Sequence, residues 1–394
     1  MPDQPLSGIR VLDISTILAG PLAATLLGEF GADVIKIEHP TSGDPARQYP
    51  PLVGDTSAAW VMHGRNKRSV TIDLRHAEAA ELVGRLAENA DIVVTNFRPA
   101  TLKKYHIDFD DLRRYRSDLV MIHVSAYGRT GPYADRPGFA RVAEGFAGLT
   151  HRTGDPAGPP MFAGYPVADG VTGYYAAFAA LLALRQRDLT GEAQLADIPL
   201  FEPLLRMMED FIADFSVTGT SVGRQGNENP HISPNNMYRT RDDQWVAIPA
   251  STQRMWERLV EVIDVPELMV HRTLTNRIDH RVEIESKVAD FVSSYDLDPL
   301  LEKLTAAGVA AGPLNSAEQV CNDPQIRHRG SIIEVDDGQG GSRLVQAPAG
   351  RFSGFESTIG GAPPAVGADT EAVFGTLAGL TTDDITTLRD RGVL

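Results

Sequence analysis

Residues 9–38 read IRVLDISTILAGPLAATLLGEFGADVIKIE. Ile9 to Ile14 is a short run of strand character, and Pro21 then stands where the first turn of a helix tolerates proline. Leu22 to Phe30 carries apolar residues at helical spacing, Gly31 supplies a left-handed stop, and Asp33 to Glu38 is a second strand. A strand, a helix and a strand in such close succession are the signature of parallel βαβ construction. The pattern continues outward: Ser69 to Leu74 is strand-like, Glu78 to Asn89 is an amphipathic helix, Asp91 to Thr95 is another strand, and Leu119 to Val124 repeats the motif. This predicts an α/β fold with a Rossmann-like layer.

At roughly 150 residues per domain, 394 residues make two or three domains. The Gly/Pro-dense run from Arg152 to Pro166 reads as a long surface connection into an apolar helix that starts at Gly170. Composition shifts to Gly, Ser, Asn and Pro between Val217 and Pro234, which marks a hinge. Beyond it, a strand at Trp245 to Pro249 and helices at Gln253 to Ile263 and Arg281 to Ser294 suggest a smaller α+β unit, closed by Gly308 to Pro313. The tail after Arg343 is Gly/Pro-rich until a last helical pattern near Asp383 to Arg389.

Hydrophobic residues make up 42% of the chain and charged ones 23%, which excludes disorder for its bulk. The formal charge of -15 repels phosphate backbones and anionic headgroups, so neither nucleic acid nor a membrane is expected as partner. Cys321 is the single cysteine, so no intramolecular disulfide and no Cys/His metal cluster can be written, and a cytoplasmic location is expected. The opening MPDQPLSGIRVLDIS lacks the basic flank and apolar stretch of a signal peptide. Val171 to Leu184, the most lipid-like segment, is shorter than the roughly 18 residues of a bilayer span and ends at Arg185 and Arg187, so it reads as a buried helix.

Absent motifs narrow the chemistry. There is no G-x-G-x-x-G turn for nicotinamide or flavin, no phosphate-binding G-x-x-x-x-G-K-[ST], no G-x-S-x-G elbow and no H-E-x-x-H. Two basic groups stand out in an acidic protein: Arg65, Lys67 and Arg68 before one strand, and Arg98, Lys103 and Lys104 after another. The second group follows Thr95-Asn96-Phe97 at the carboxyl end of a strand, where α/β sheets bind ligands, and suits a phosphorylated molecule or simply solubilises the fold. Asp169 precedes the Gly170 helix and reads as its N-cap. An ionised carboxylate at a helix N-terminus also suits nucleophilic acyl chemistry, and both readings can hold together. Tyr127 to Pro132 forms a turn after a strand, His39 ends the second strand within reach of a ligand, and Cys321 reads as structural.

These residues fall into an order that resembles the class III CoA-transferases, the group of formyl-CoA transferase and carnitine CoA-transferase. The matching stretches are Val11-Leu12-Asp13 with Ala19-Gly20-Pro21, Gly31 to Glu38, Gly43-Asp44, Asn66-Lys67-Arg68-Ser69, Asn96-Phe97-Arg98-Pro99, Asp169-Gly170, Gly312-Pro313 and Asp323-Pro324. They run along essentially the whole chain.

The resemblance implies an acyl-CoA:carboxylate CoA-transferase with Asp169 as nucleophile, passing through an aspartyl anhydride and an aspartyl-CoA thioester. Coenzyme A enters as acyl-CoA substrate beside a small carboxylic acid acceptor, with no metal. Its contacts would fall at Ile17, Leu18, His39, Ile72, Asp73, Leu74, Arg75, Asn96, Phe97, Arg98 and Lys104. His39 and Lys104 replace arginines of the formyl-CoA transferase pattern, Ile17 replaces a glutamine, and the glycine-rich run over that enzyme's site is absent, which disfavours oxalate as acceptor. The resemblance further implies an interlocked homodimer of ring-shaped chains, each with a large CoA-binding domain begun by residues 1–216 and completed by a return segment, 326–394, around a small α+β domain at 217–325. The 2-methylacyl-CoA racemases of the same superfamily add a histidine in a G-H-D segment, which here reads Gly138-Phe139-Ala140. A non-catalytic acyl-CoA-binding protein is the remaining alternative.

Overall fold

The computed structural model describes residues 4–54 and 56–394 and divides into two compact units. The first takes the chain up to residue 149, then 162–219 and 325–394; the second takes 150–161 and 220–324.

Six parallel strands organise the first unit: β1 Arg10–Asp13, β2 Asp33–Glu38, β3 Lys67–Thr71, β4 Ile92–Thr95, β5 Val120–Ser125 and β6 Gln194–Pro199. Their order is β3-β2-β1-β4-β5-β6, the doubly wound order in which the chain winds outward from β1, then returns to β4 and winds the other way. The central strands β4 and β5 are buried along their whole length and are mostly apolar runs. Val11, Val34, Val94 and Ile122 face the helix α1 (Ala19–Glu29) and the long helix at Val167–Thr190. Leu12, Ile35, Val93 and Met121 face α2 (Ala79–Glu88) on the other side. Short helices α3 (Pro99–Lys104) and α4 (Ala140–Phe146) follow β4 and β5, and α5 spans Val167–Thr190.

Helix α5 corrects the expectation of a wholly buried segment. It has 24 residues, long and apolar enough by those measures to cross a bilayer, but it buries one stripe only. The buried stripe holds small residues, Gly173, Ala176 and Ala180, because α1 comes so close that a Cβ on Gly173 would lie 2.7 Å from the Leu22 side chain. The large side chains, Tyr174, Phe178 and Leu181, stand on the opposite, exposed face of this unit. The strand expected at Ser69 to Leu74 also begins earlier, at Lys67, and leaves 72–74 to a loop. Lys67 does not look like a strand residue because its charge is neutralised only by a distant one, Asp13.

The second unit is a three-stranded antiparallel sheet of β7 Asn235–Arg239, β8 Trp245–Pro249 and β9 Gly312–Pro313, with β8 in the centre. Val246, Ile248 and Trp256 pack with apolar faces of α6 (Gln253–Ile263), α7 (Arg281–Ser293) and α8 (Leu297–Ala306). The end of the chain returns to the first unit. Helices α9 (Thr370–Leu377) and α10 (Thr382–Asp390) put Phe374, Ile385 and Leu388 into the core beside α2, the Asp369 carboxylate accepts the Ser69 amide at 2.8 Å, and the Asp73 amide donates to the Val393 carbonyl at 2.8 Å.

Under the carboxyl ends of β1 and β2 lies a buried ionic network. Asp13 is completely buried; it receives Lys67 Nζ at 2.9 Å and the Ser15 hydroxyl, with Lys36 Nζ at 3.8 Å. Lys36 reaches Asp44 at 3.2 Å and the Ser15 carbonyl, and Glu38 holds Arg47 through two bonds of 2.7 Å. Burial pushes the Asp13 carboxyl up, but the two lysines and Ser15 outweigh it and hold it below its ordinary 3.8. Asp13→Asn leaves Lys67 buried without its counter-ion, and urea denaturation should show a loss of about 3–5 kcal/mol. Because the folded carboxyl is depressed, the wild-type contribution is present above pH about 4 and is lost as the pH falls through the folded value.

Candidate active site

Two cavities open at the carboxyl ends of the strands, on either side of the point where β1 and β4 lie next to each other and the winding reverses. In doubly wound sheets that crevice is where ligands bind. The first, of about 380 Å³, is walled by Thr16 to Ala19 after β1, Asn96 to Arg98 after β4, Ser125 and Ala126 after β5, the 134–139 segment, and Asp169. The second, of about 300 Å³, is lined by His39, Gly43 and Asp44 after β2, Ile72 to Arg75 after β3, and Tyr105. Thr16 and Phe97 belong to both walls.

Asp169 is not the N-cap. That position falls to Pro166, and Asp169 lies in the first turn of α5. Helix geometry there favours an ionised carboxylate, yet burial, with the nearby Glu144 charge adding to it, lifts the Asp169 carboxyl from 3.8 to about 6. Glu144, 1% exposed in α4, accepts the Ala168 amide at 3.3 Å and pairs with Arg141 at 2.9 Å. The Tyr165 ring packs over Gly170 so closely that a Cβ there would lie 2.8 Å from it, and its hydroxyl is pushed up by burial and by Asp169. The result is a half-buried carboxylate, more basic than a surface one and still ionised at neutral pH, at the wall of a cavity.

The loop after β1 is held by two side chains. Asn96 accepts the Thr16 amide at 2.9 Å and donates to the Thr16 carbonyl at 2.8 Å, while the Ile17 amide donates to Asp44 at 3.1 Å. Ile17 sits at φ 71°, a left-handed conformation that a β-branched residue adopts only when its surroundings impose it. Both polar groups of Asn96 are therefore engaged in shaping this loop. Beneath it, buried His123 on β5 contacts the Phe97 carbonyl at 2.8 Å and Asp197 on β6 at 3.4 Å, which fixes the loop after β4.

Of the residues expected to contact a nucleotide-bearing ligand, Ile17, Leu18, Asn96, Phe97 and Arg98 line the first cavity, and His39, Ile72, Asp73, Leu74 and Arg75 the second. Arg75 is forked onto Asp73 at 2.8 and 2.9 Å, which takes the Asp73 carboxyl down to about 2, and one of its nitrogens meets His39 Nε2 at 2.8 Å. Lys104 lines neither cavity; its ammonium lies 5.8 Å from the Tyr105 ring centre. The other basic group serves the fold instead: Arg65 pairs with buried Glu29, Lys67 with Asp13, and Arg68 with Asp33.

Several wall residues were not foreseen from the sequence. Arg136 lines the Asp169 cavity with its guanidinium 3.7 Å above the Tyr133 ring, and Ser125 and Phe139 stand beside it. Their Gly/Pro-rich context reads only as a turn. Glu144 left a clearer trace: an acid three residues after Arg141 in a short stretch otherwise made of Ala, Val, Gly and Phe needs a reason to be there.

Comparison with known proteins agrees with this architecture. The family model described as CoA-transferase family III matches residues 6–370. A succinyl-CoA--D-citramalate CoA-transferase of Chloroflexus aurantiacus is 36% identical, over 100% of this chain and 99% of that protein. A succinyl-CoA:glutarate CoA-transferase of Homo sapiens is 28% identical, over 94% of this chain and 85% of its own. A CAIB/BAIF family protein from Brucella suis, known from a crystal structure, has a TM-score of 0.83 at 32% identity, with 95% of this chain and 100% of that one covered. Agreement that extends through both the sequence and the fold settles the affiliation: the chain belongs to CoA-transferase family III.

Proposed function

We propose that this CoA-transferase moves CoA between short dicarboxylic acids with Asp169 as its covalent relay. The observation that carries the reading is the Asp169 carboxylate, lifted to about 6 at the wall of a cavity at the winding reversal. The substrate class is supported by relatives whose names pair succinyl-CoA with citramalate, malate or glutarate.

In the first step an Asp169 oxygen attacks the thioester carbon of the donor and expels CoA thiolate, leaving a mixed anhydride. The thiolate then attacks the aspartyl carbon, releases the donor acid as its carboxylate and forms an aspartyl-CoA thioester. An acceptor carboxylate attacks that thioester, the thiolate leaves again, and its return to the acceptor's acyl carbon delivers the new acyl-CoA and restores Asp169. A partly desolvated carboxylate suits this cycle, because it is a better nucleophile than an exposed one and because water would hydrolyse the anhydride. Ile17, Leu18, His39, Ile72 to Arg75, Asn96, Phe97 and Arg98 are proposed to flank the CoA, with Lys104 outside the cavities as a contact for its charged end. Among the described residues no histidine lines the Asp169 cavity, which favours transfer over the racemase alternative.

The Asn variant separates chemistry from folding. Asp169→Asn should drop transfer from succinyl-CoA to glutarate or malate to the detection limit while binding CoA. Its melting temperature at pH 8 should be no lower than that of the wild type, because the buried charge it removes opposes folding there. In the wild type, hydroxylamine added during turnover should leave a hydroxamate on the Asp169 peptide; full activity in the Asn variant, or a hydroxamate on another acid, rejects the relay. The same carboxylate predicts the pH profile. Activity should vanish as Asp169 is protonated, so kcat/KM should rise through an acid limb near pH 6 and level above it. A limb near pH 4 would place the essential group elsewhere.

The assembly is proposed to be an interlocked homodimer, on the strength of the family resemblance. Dilution in sedimentation velocity should then release no folded monomer, and a reversible monomer–dimer equilibrium would contradict it.

A further inference from the structure

The helix that carries Asp169 begins without a cap of its own. Pro166 occupies the N-cap and has no side-chain acceptor, so the first amides of α5 need partners from elsewhere. Glu144 supplies one from a different helix: its Oε1 accepts the Ala168 amide at 3.3 Å, one residue before Asp169. Its Oε2 takes Arg141, and the same Arg141 nitrogen also donates to the Ala163 carbonyl at 2.9 Å in the segment leading to α5. A neutral side chain could accept an amide equally well. A carboxylate at 1% exposure carries a desolvation cost that capping alone does not require, and it stands beside another carboxylate.

We propose that Glu144 is a positioning residue for the transfer: it caps the first turn of α5 in place of Pro166 and, through its charge, sets the nucleophilicity of Asp169. This rests on the covalent reading of Asp169 given above. The other charged or titratable groups around Asp169 among the described residues are Tyr165 from the preceding segment, and Arg98 and Arg136 in the walls of the same cavity; the entry to α1 contributes Thr16 to Ala19, none of them titratable in this range. Burial and Glu144 both lift the Asp169 carboxyl, and Glu144 is the part of that lift that one substitution removes.

Two variants divide the cap from the charge. Glu144→Gln keeps an acceptor for Ala168 and loses the charge; Glu144→Asp keeps the charge and draws the acceptor back. Asp169 is read directly, by the pH dependence of its labelling with a carboxylate-directed isoxazolium reagent, as a ratio to wild type by peptide mass spectrometry, and in parallel by the acid limb of kcat/KM. In Glu144→Gln both midpoints should move to lower pH by about half a unit or more, with kcat on the alkaline plateau reduced and the KM for acyl-CoA unchanged. In Glu144→Asp the midpoints should stay near wild type while kcat falls. The reverse pattern, Gln like wild type at every pH and Asp impaired, would mean a cap alone and would overturn the inference. If the labelling midpoint moves and the kinetic limb does not, Glu144 acts on Asp169 as inferred, and the covalent role of Asp169 is what fails.

Discussion

Asp13, Lys36 and Lys67 come from three adjacent strands and meet where all three are buried, each charge answered by another. The loops after β1, β2 and β3, which wall much of the two cavities, leave the sheet from the strands that carry this network. Lys36 ties it to Asp44, and Asp44 in turn receives the Ile17 amide, so the left-handed turn after β1 is held by charges from β2 and the loop beyond it. Buried charges rarely add stability over an apolar core, but they are strict about geometry, since a misplaced partner leaves a bare ion. The loops that wall the two cavities gain a fixed geometry from such a base.

Two carboxylates, Asp13 and Asp169, illustrate opposite uses of burial. Asp13 is surrounded by lysines and held low, which makes it a fixed strut. Asp169 has no cation among the causes of its shift and a second acid beside it, so it is held high, where its lone pairs remain available for chemistry. The neighbours decide which role each takes. Asp13 ends a central strand among ionic neighbours; Asp169 begins a helix whose first turn faces a cavity.

The winding of the fold was legible in residues 9–38 because strand, proline-bearing helix start, glycine stop and strand are local signals. Strand β3 was misplaced because its opening lysine is compatible with a buried strand only through Asp13, fifty-four positions away in sequence. The large apolar side chains of α5 suggested a buried helix, whereas its contact surface is the stripe of Gly173, Ala176 and Ala180, a pattern that hydropathy undervalues. At the site, the family resemblance named Asp169 and many of the loop residues that line the two cavities. It did not name Glu144 and Arg136, since their roles depend on which short helix or turn the tertiary fold brings to the cavity. The N-cap reading of Asp169 failed on a boundary three residues long: the helix starts at Val167, before the glycine that was expected to open it.

The return of the chain to its first unit has a consequence for biosynthesis. Strand β3 and the loop at Ile72 to Arg75 emerge early from a ribosome, yet their amides and apolar faces are completed by Asp369, Phe374 and Val393. The second unit, which starts far later in sequence than β1, has all of its own strands and helices translated before that closure can occur. Synthesis therefore leaves strand β3 without its final cover for most of the chain's passage, a period in which Val70 lacks the helix α9 that packs on this strand. The order of manufacture and the order of completion run in opposite directions, and the nascent chain is most vulnerable at the edge strand that its last residues cover.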